Sequence, residues 1–233
     1  MRIWLVGDRR DALESGVAFR FPMKTPGLSA SDTPFAPASR TIFNTPVITP
    51  MLRAIARLMF RRLGWRIDGA IPLDLHQAVV IGAPHTSNWD LPYALMAAFS
   101  LDRKLHWLGK SQIFQFPFGG LMRWMGGIAV DRSRANNLVE AAVRCFSETR
   151  PPLLLLVPPE GTRKEVERWK TGFYYIALGA EVPVVMAYMD HATRLCGVNR
   201  IFRPTGDLES DMTAIRAYYA PFRGWAKRHE ARV

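Results

Sequence analysis

Residues 78–101 read AVVIGAPHTSNWDLPYALMAAFSL, and the fold can be worked out from this stretch. Ala78 to Gly82 is a short apolar run that ends in a loop at Pro84, the pattern of a buried strand. Leu91 to Leu101 is long and apolar enough for a helix. The same alternation continues outward. Leu105 to Leu108 and Ile128 to Val130 read as strands, and Leu138, Val139, Ala142, Val143 and Phe146 have helical spacing. Leu153 to Val157 is a fully apolar strand stopped by Pro158 and Pro159. Phe173 to Leu178 reads as a helix and Val182 to Tyr188 as a strand. Strands alternating with helices predict an α/β layered domain with a mostly parallel central sheet flanked by helices. In such sheets functional residues gather in the loops at strand ends. No internal repeat is present.

The chain has 233 residues, which suits one domain with an appendage. Hydrophobic residues make up 48% and charged residues 22%, enough apolar material for a core and too much for a wholly disordered chain. The net charge of +11 fits nucleic acid, an anionic membrane surface, or acidic substrates and carriers. No zinc-finger spacing and no aromatic RNA-binding signature occurs, so nucleic acid is not an expected partner. Cys145 and Cys196 have no nearby partner at metal spacing, which argues against a disulfide framework or structural zinc and fits a reducing compartment. No run of about 18 apolar residues exists, so no transmembrane helix is expected. The apolar patch in Met1 to Gly7 is too short for a signal peptide.

Residues 1–50 differ from the rest, with prolines at 22, 26, 34, 37, 46 and 50 among many Ser and Thr. They are expected to form a flexible Pro/Ser/Thr-rich extension, with the folded domain over residues 51–233. Met51 is a candidate alternative start. Residues 51–63, MLRAIARLMFRRL, place Arg53, Arg57 and Arg61 at intervals of four on one helical face. Leu52, Ile55, Leu58, Met59 and Leu63 cover much of the other side. Such a helix suits a membrane interface, or docks on the domain core.

The chemistry concentrates in three places. His85-Thr86-Ser87-Asn88-Trp89-Asp90 follows the first strand and leads into the helix. A carboxylate five positions beyond a histidine can fold back and orient the imidazole, which leaves the other ring nitrogen as a base near neutral pH. The alternative is that Asp90 merely caps the helix. Pro159-Glu160-Gly161-Thr162-Arg163 follows a strand end, where backbone N–H groups and Arg163 suit a phosphate. Gly126-Gly127-Ile128-Ala129-Val130-Asp131-Arg132 allows a tight turn into a strand, with Arg132 at its far end. The last two taken alone are more commonly a surface turn and a solvated arginine. A G-x-S-x-G elbow is absent, and Gly109-Lys110-Ser111 lacks the first glycine of a P-loop. His76, His106, His191 and His229 form no metal spacing and are expected to be structural or exposed.

Over residues 51–200 these motifs, in their order and spacing, resemble the glycerolipid acyltransferase family, whose members include the 1-acylglycerol-3-phosphate acyltransferases. The His-x4-Asp motif is matched by His85 and Asp90, and the Gly-x-Ile-x-x-x-Arg strand by Gly126 or Gly127 through Arg132. The Phe-Pro-Glu-Gly-Thr-Arg motif is matched from Pro159 to Arg163, with Pro158 in place of the Phe. The strand ending in proline is matched by Val182 to Ala187, with Met186 where the proline usually stands. Lys110 and the Phe116-Pro117-Phe118-Gly119 turn also look like the family.

The resemblance implies an O-acyltransferase of phospholipid biosynthesis. His85 would be the general base and Asp90 its partner. Arg132, Glu160, Gly161, Thr162, Arg163 and Lys110 would bind substrate. It implies no bound cofactor and no metal; acyl-CoA or acyl carrier protein serves as donor substrate, so acyl carrier protein is kept open as a partner. The acceptor would be a lysophospholipid such as 1-acylglycerol-3-phosphate, met as a peripheral protein on the cytoplasmic face of a membrane. The same chemistry on a different lipid or glycolipid hydroxyl, or a non-catalytic basic membrane-binding protein, are the alternatives.

Overall fold

The computed structural model describes residues 36–85, 87, 89–130, 135–149, 152–160 and 169–222. The chain runs α1 (Ile48–Arg62), β1 (Arg66–Gly69), β2 (Gln77–Ala83), α2 (Asp90–Ser100), β3 (Leu105–Lys110), a 3-10 turn (Ser111–Phe114), α3 (Gly119–Trp124), β4 (Gly127–Val130) and α4 (Ala135–Glu148). It continues through β5 (Leu153–Leu156), α5 (Gly172–Gly179), β6 (Val184–Asp190), β7 (Leu195–Phe202) and α6 (Leu208–Tyr219). One seven-stranded sheet has the order β1-β7-β6-β2-β5-β3-β4. β6, β2, β5, β3 and β4 are parallel neighbours, while β7 pairs antiparallel with β6 and parallel with β1. The expected layered α/β domain with a mostly parallel sheet is what the chain forms.

The central strands are apolar because both of their faces are covered. Val79 and Ile81 of β2 point to one side, into a core with Ala142, Phe146, Phe173, Ile176, Met212 and Ile215 from α4, α5 and α6. Ala78 and Val80 point to the other, into a core with Ala56, Leu95, Ala98 and Phe99 from α1 and α2. The period of two along one strand thus serves both layers. Before β4, Gly126 has φ +88, and a Cβ there would run into the Leu105 carbonyl. This is the tight turn that the paired glycines lead one to expect.

The folded domain starts earlier than residue 51, which corrects the expected boundary. α1 begins at Ile48, and Thr41, Ile42, Phe43, Thr45 and Thr49 are buried. Phe43 stacks on Phe99 at 4.6 Å, and Thr45 accepts a hydrogen bond from the Trp124 indole. Residues 1–35, most of the expected extension, lie outside the described residues. Arg53 is also not part of one free basic face, because it forms an ion pair with Asp102 beyond α2.

His106, in β3, is 1% exposed and its Nδ1–H donates to the Gly126 carbonyl at 3.2 Å. Burial, aided by the Lys104 charge and opposed by that hydrogen bond, pushes its pKa down to about 4 from 6.5. The folded value lies below the unfolded one, so His106 is neutral in the fold. As pH falls from 6.5 towards 4 the unfolded chain gains a proton that the folded chain refuses, and stability declines. At ~1.4 kcal/mol per unit the loss approaches about 3 kcal/mol. Urea midpoints of the wild type should drop over this interval by more than those of His106→Leu, in which the Gly126 carbonyl keeps its bond from the Trp107 N–H. Parallel pH profiles would refute the assignment.

Candidate active site

The β2 strand ends at Ala83, and His85 stands just beyond it. β5 pairs beside β2 and delivers Glu160 to the same edge of the sheet. The His85 backbone N–H lies 3.2 Å from each oxygen of Glu160, so this carboxylate straddles one amide. Glu160 is 9% exposed, and burial pushes its carboxyl up against the opposing pull of that hydrogen bond. Of the residues expected to bind substrate, Glu160 is therefore brought to His85 itself. Lys110 lies exposed at the end of β3, two strands away. Arg132, Gly161, Thr162 and Arg163 lie outside the described residues.

Asp90 is the first residue of α2 and is buried. A helix cap accepts from N–H groups further along the helix. The Asp90 carboxylate instead reaches backwards: Oδ2 accepts from Nδ1 of His85 at 3.0 Å and from the Ser87 N–H at 2.8 Å. The five-residue spacing thus closes a turn with the imidazole and the carboxylate face to face. Burial raises the proton affinity of Asp90, but the facing His191 ring and the hydrogen bonds from His85 and Ser87 outweigh it and hold the carboxyl well below the usual range. An ionised Asp90 fixes the proton on Nδ1 and leaves Nε2 of His85 as the basic nitrogen.

A cavity of about 310 Å³ adjoins the pair and is lined by His85, Ser87 and Asp90. Its walls are apolar, with Leu91, Ala94 and Ala98 from α2 facing Trp107, Leu156 and Val198 from the sheet. The small alanines leave the space, in keeping with the mostly apolar, few-polar character of small-molecule sites. Cys196 also lines the cavity, but burial pushes its thiol up to about 12, far from a thiolate nucleophile. The Ser87 hydroxyl accepts from the Trp89 N–H. Among the described residues no group of three His, Cys, Asp or Glu is placed to hold a metal.

Sequence patterning overlooked one neighbour of this site. His191, expected to be structural or exposed, has its Nε2 3.6 Å from Oδ1 of Asp90. It sits at the end of β6, the other neighbour of β2. The usable signal was its place at a strand end beside the His85 strand, which required the strand order.

With the His85–Asp90 contact, the α/β sheet and the apolar cavity described, the family comparison gives the class: the chain belongs to the Acyltransferase family, whose model matches residues 67–190. The chain is similar to proteins named 1-acyl-sn-glycerol-3-phosphate acyltransferase. One from Salmonella typhimurium (strain LT2) is 27% identical over 157 residues, covering 61% of this chain and 62% of that protein. One from Haemophilus influenzae is 26% identical over 152 residues, covering 61% of each. The chain thus spans about three fifths of the length of these relatives. The crystal structure of the 1-acyl-sn-glycerophosphate (LPA) acyltransferase PlsC from Thermotoga maritima superposes with a TM-score of 0.54 at 17% identity, covering 77% of this chain and 82% of that one. That likeness bears on the fold.

Proposed function

We propose that this protein transfers a fatty acyl group from acyl-CoA or acyl carrier protein to the hydroxyl of a lysophospholipid such as 1-acylglycerol-3-phosphate. The observation that carries the proposal is the His85–Asp90 pair at 3.0 Å, set beside an apolar cavity that suits an acyl chain. His85 Nε2 takes the proton from the acceptor hydroxyl as its oxygen attacks the thioester carbonyl carbon. Asp90 stabilises the imidazolium. The C–S bond breaks, an ester forms, and the leaving sulfur takes the proton back from His85, so no protein nucleophile is needed. Arg132, Gly161, Thr162, Arg163 and Lys110 are assigned to binding the acceptor by family resemblance. Glu160 joins the pocket through its hold on the His85 amide.

The test is thiol release by the purified protein with acyl-CoA or acyl carrier protein as donor. The acceptors are 1-acylglycerol-3-phosphate, the matching monoacylglycerol and a glycolipid. Faster turnover of the phosphorylated acceptor, lost selectively in Arg163→Ala, supports the proposal. Removing one partner of a charge-assisted bond costs about 1.5–3 kcal/mol. Preference for an unphosphorylated hydroxyl transfers the chemistry to another lipid. No release with any acceptor favours a non-catalytic membrane-binding protein.

The acceptor's chemistry places the site at a lipid surface. Among the described residues no helix is long and apolar enough to cross a membrane. α1 instead exposes Met51, Ile55, Leu58 and Met59 at 42–53%, alongside exposed Arg57, Arg61 and Arg62. Beyond β3, Phe116 and Phe118 are 97% and 63% exposed. Peripheral binding to anionic bilayers follows, on the cytoplasmic face where such lipids are enriched. Replacing Arg57, Arg61 and Arg62 with Glu should weaken binding to anionic vesicles by about 100-fold or more, at ~1 kcal/mol per charge. Activity on a detergent-dispersed acceptor should persist. Equal binding of wild type and variant in a vesicle sedimentation assay would remove the electrostatic part.

A further inference from the structure

Each oxygen of Asp90 faces a histidine, and the general-base mechanism uses only one of the two. Oδ2 serves His85 and Ser87. Oδ1 faces Nε2 of His191 at 3.6 Å, within ion-pair reach. The side chains of His191 and Asp90 are 9% and 11% exposed, so the contact is shielded from water. The His191 ring is itself fixed. Its plane stands edge-on to Trp65 at 5.1 Å and 89°, and to Tyr93 at 5.9 Å and 88°. Trp65 lies between α1 and β1, and Tyr93 lies in the first turn of α2, the helix that begins with Asp90. Three elements therefore aim one imidazole nitrogen at the far oxygen of the proposed catalytic carboxylate.

We propose that His191 is a positioning residue for acyl transfer, holding Oδ1 of Asp90 so that Oδ2 stays on Nδ1 of His85 while His85 carries the proton. The proposal rests on the acyl-transfer function given above. Rotation of a carboxylate about its terminal torsion is soft. A carboxylate anchored at one oxygen can swing and lose its line to the imidazole. One anchored at both cannot. The benefit falls on the step in which His85 becomes charged, and His191 itself is separated from the reacting atoms by Asp90. Its loss should therefore lower kcat and leave substrate binding alone.

The experiment compares His191→Phe and His191→Gln with wild type, using 1-acylglycerol-3-phosphate and a long-chain acyl-CoA. Phe keeps a ring against Trp65 and Tyr93 but removes the nitrogen, whereas Gln restores an N–H at similar reach. The Phe variant should lose about 10–100-fold in kcat, the loss that follows when the outer hydrogen-bond partner of a metal-ligating side chain is removed. KM for both substrates should stay within about twofold, as expected when only the transition state is affected. The Gln variant should regain most of the loss. If Phe does not fold at this position, His191→Asn gives the same contrast with Gln, because its amide is too short to reach Asp90. A kcat near wild type in the Phe variant, or equal rates for Gln and Asn, would overturn the proposal. His85→Ala run in parallel separates two kinds of failure. If it is inactive while His191→Phe is not slowed, only the role of His191 falls. If it stays active, the acyl-transfer mechanism falls and the positioning role with it.

Discussion

His85→Ala is expected to lower kcat by about 10²–10⁴-fold, the usual contribution of a positioned general base. The fold should survive, because the side chain is a quarter exposed and its backbone N–H to Glu160 remains. Asp90→Asn should also be severe, for a different reason. The amide supplies no negative charge to the imidazolium, and an Nδ2 turned towards Nδ1 would select the wrong tautomer. Asp90 also closes the turn through the Ser87 N–H, so its replacement should lower the melting temperature where His85→Ala does not. Steady-state kinetics with circular dichroism of each variant check this. Near-normal turnover by a folded His85→Ala protein would remove the mechanism.

The second large effect concerns stability. A chain beginning at Met51 should be destabilised by several kcal/mol or fail to fold, whereas one beginning at Ala36 should unfold with the full-length protein. The shorter chain lacks Ile42 and Phe43, which are 4% and 8% exposed, and the Thr45 hydroxyl that pairs with Trp124. It also loses the Ile42 N–H bond to the Trp124 carbonyl and the first turn of α1. Emptying a buried Phe site costs about 3–5 kcal/mol and an Ile site about 2–5 kcal/mol. Domains have only about 5–15 kcal/mol to lose. Thermal melts of the three chains decide it; coincident transitions would show that residues 36–50 contribute nothing.

This second case shows where sequence patterning stopped. Six prolines and many Ser and Thr made residues 1–50 look uniform. The anchoring residues Ile42 and Phe43 are two apolar side chains with no periodicity, and only the tertiary fold shows that they fill a gap beside Phe99. The central strands were legible because burial on both faces gives unbroken apolar runs, as in Leu153 to Leu156. β1 and β7 escaped because polar residues interrupt their apolar pattern, Arg66 and Asp68 in one and Asn199 and Arg200 in the other. Helix α6 carries a readable stripe of Met212, Ile215 and Tyr219, with Asp207 capping it, but it lies beyond the stretch in which motifs were found.

The site was legible to the extent that it is local. His85 and Asp90 are joined by one turn, so their spacing alone encoded their contact. The approach of Glu160 to the His85 amide crosses from β5 to β2, and His191 arrives from β6. Neither contact exists until the strand order β6-β2-β5 is known. A motif can show that Glu160 belongs to the site, but it cannot show which atom it touches.

The central claim is direct transfer, with the acceptor hydroxyl as nucleophile and His85 as base. The most direct test is a rapid-quench experiment in which enzyme meets excess acyl-CoA first alone and then with 1-acylglycerol-3-phosphate. Without acceptor, no burst of free thiol matching the enzyme concentration should appear, because no acyl-enzyme forms. On adding acceptor, thiol and diacylated product should rise together in equal amounts, and both should be absent with His85→Ala. A stoichiometric thiol burst before acceptor is added would reveal a covalent acyl-enzyme and contradict the account.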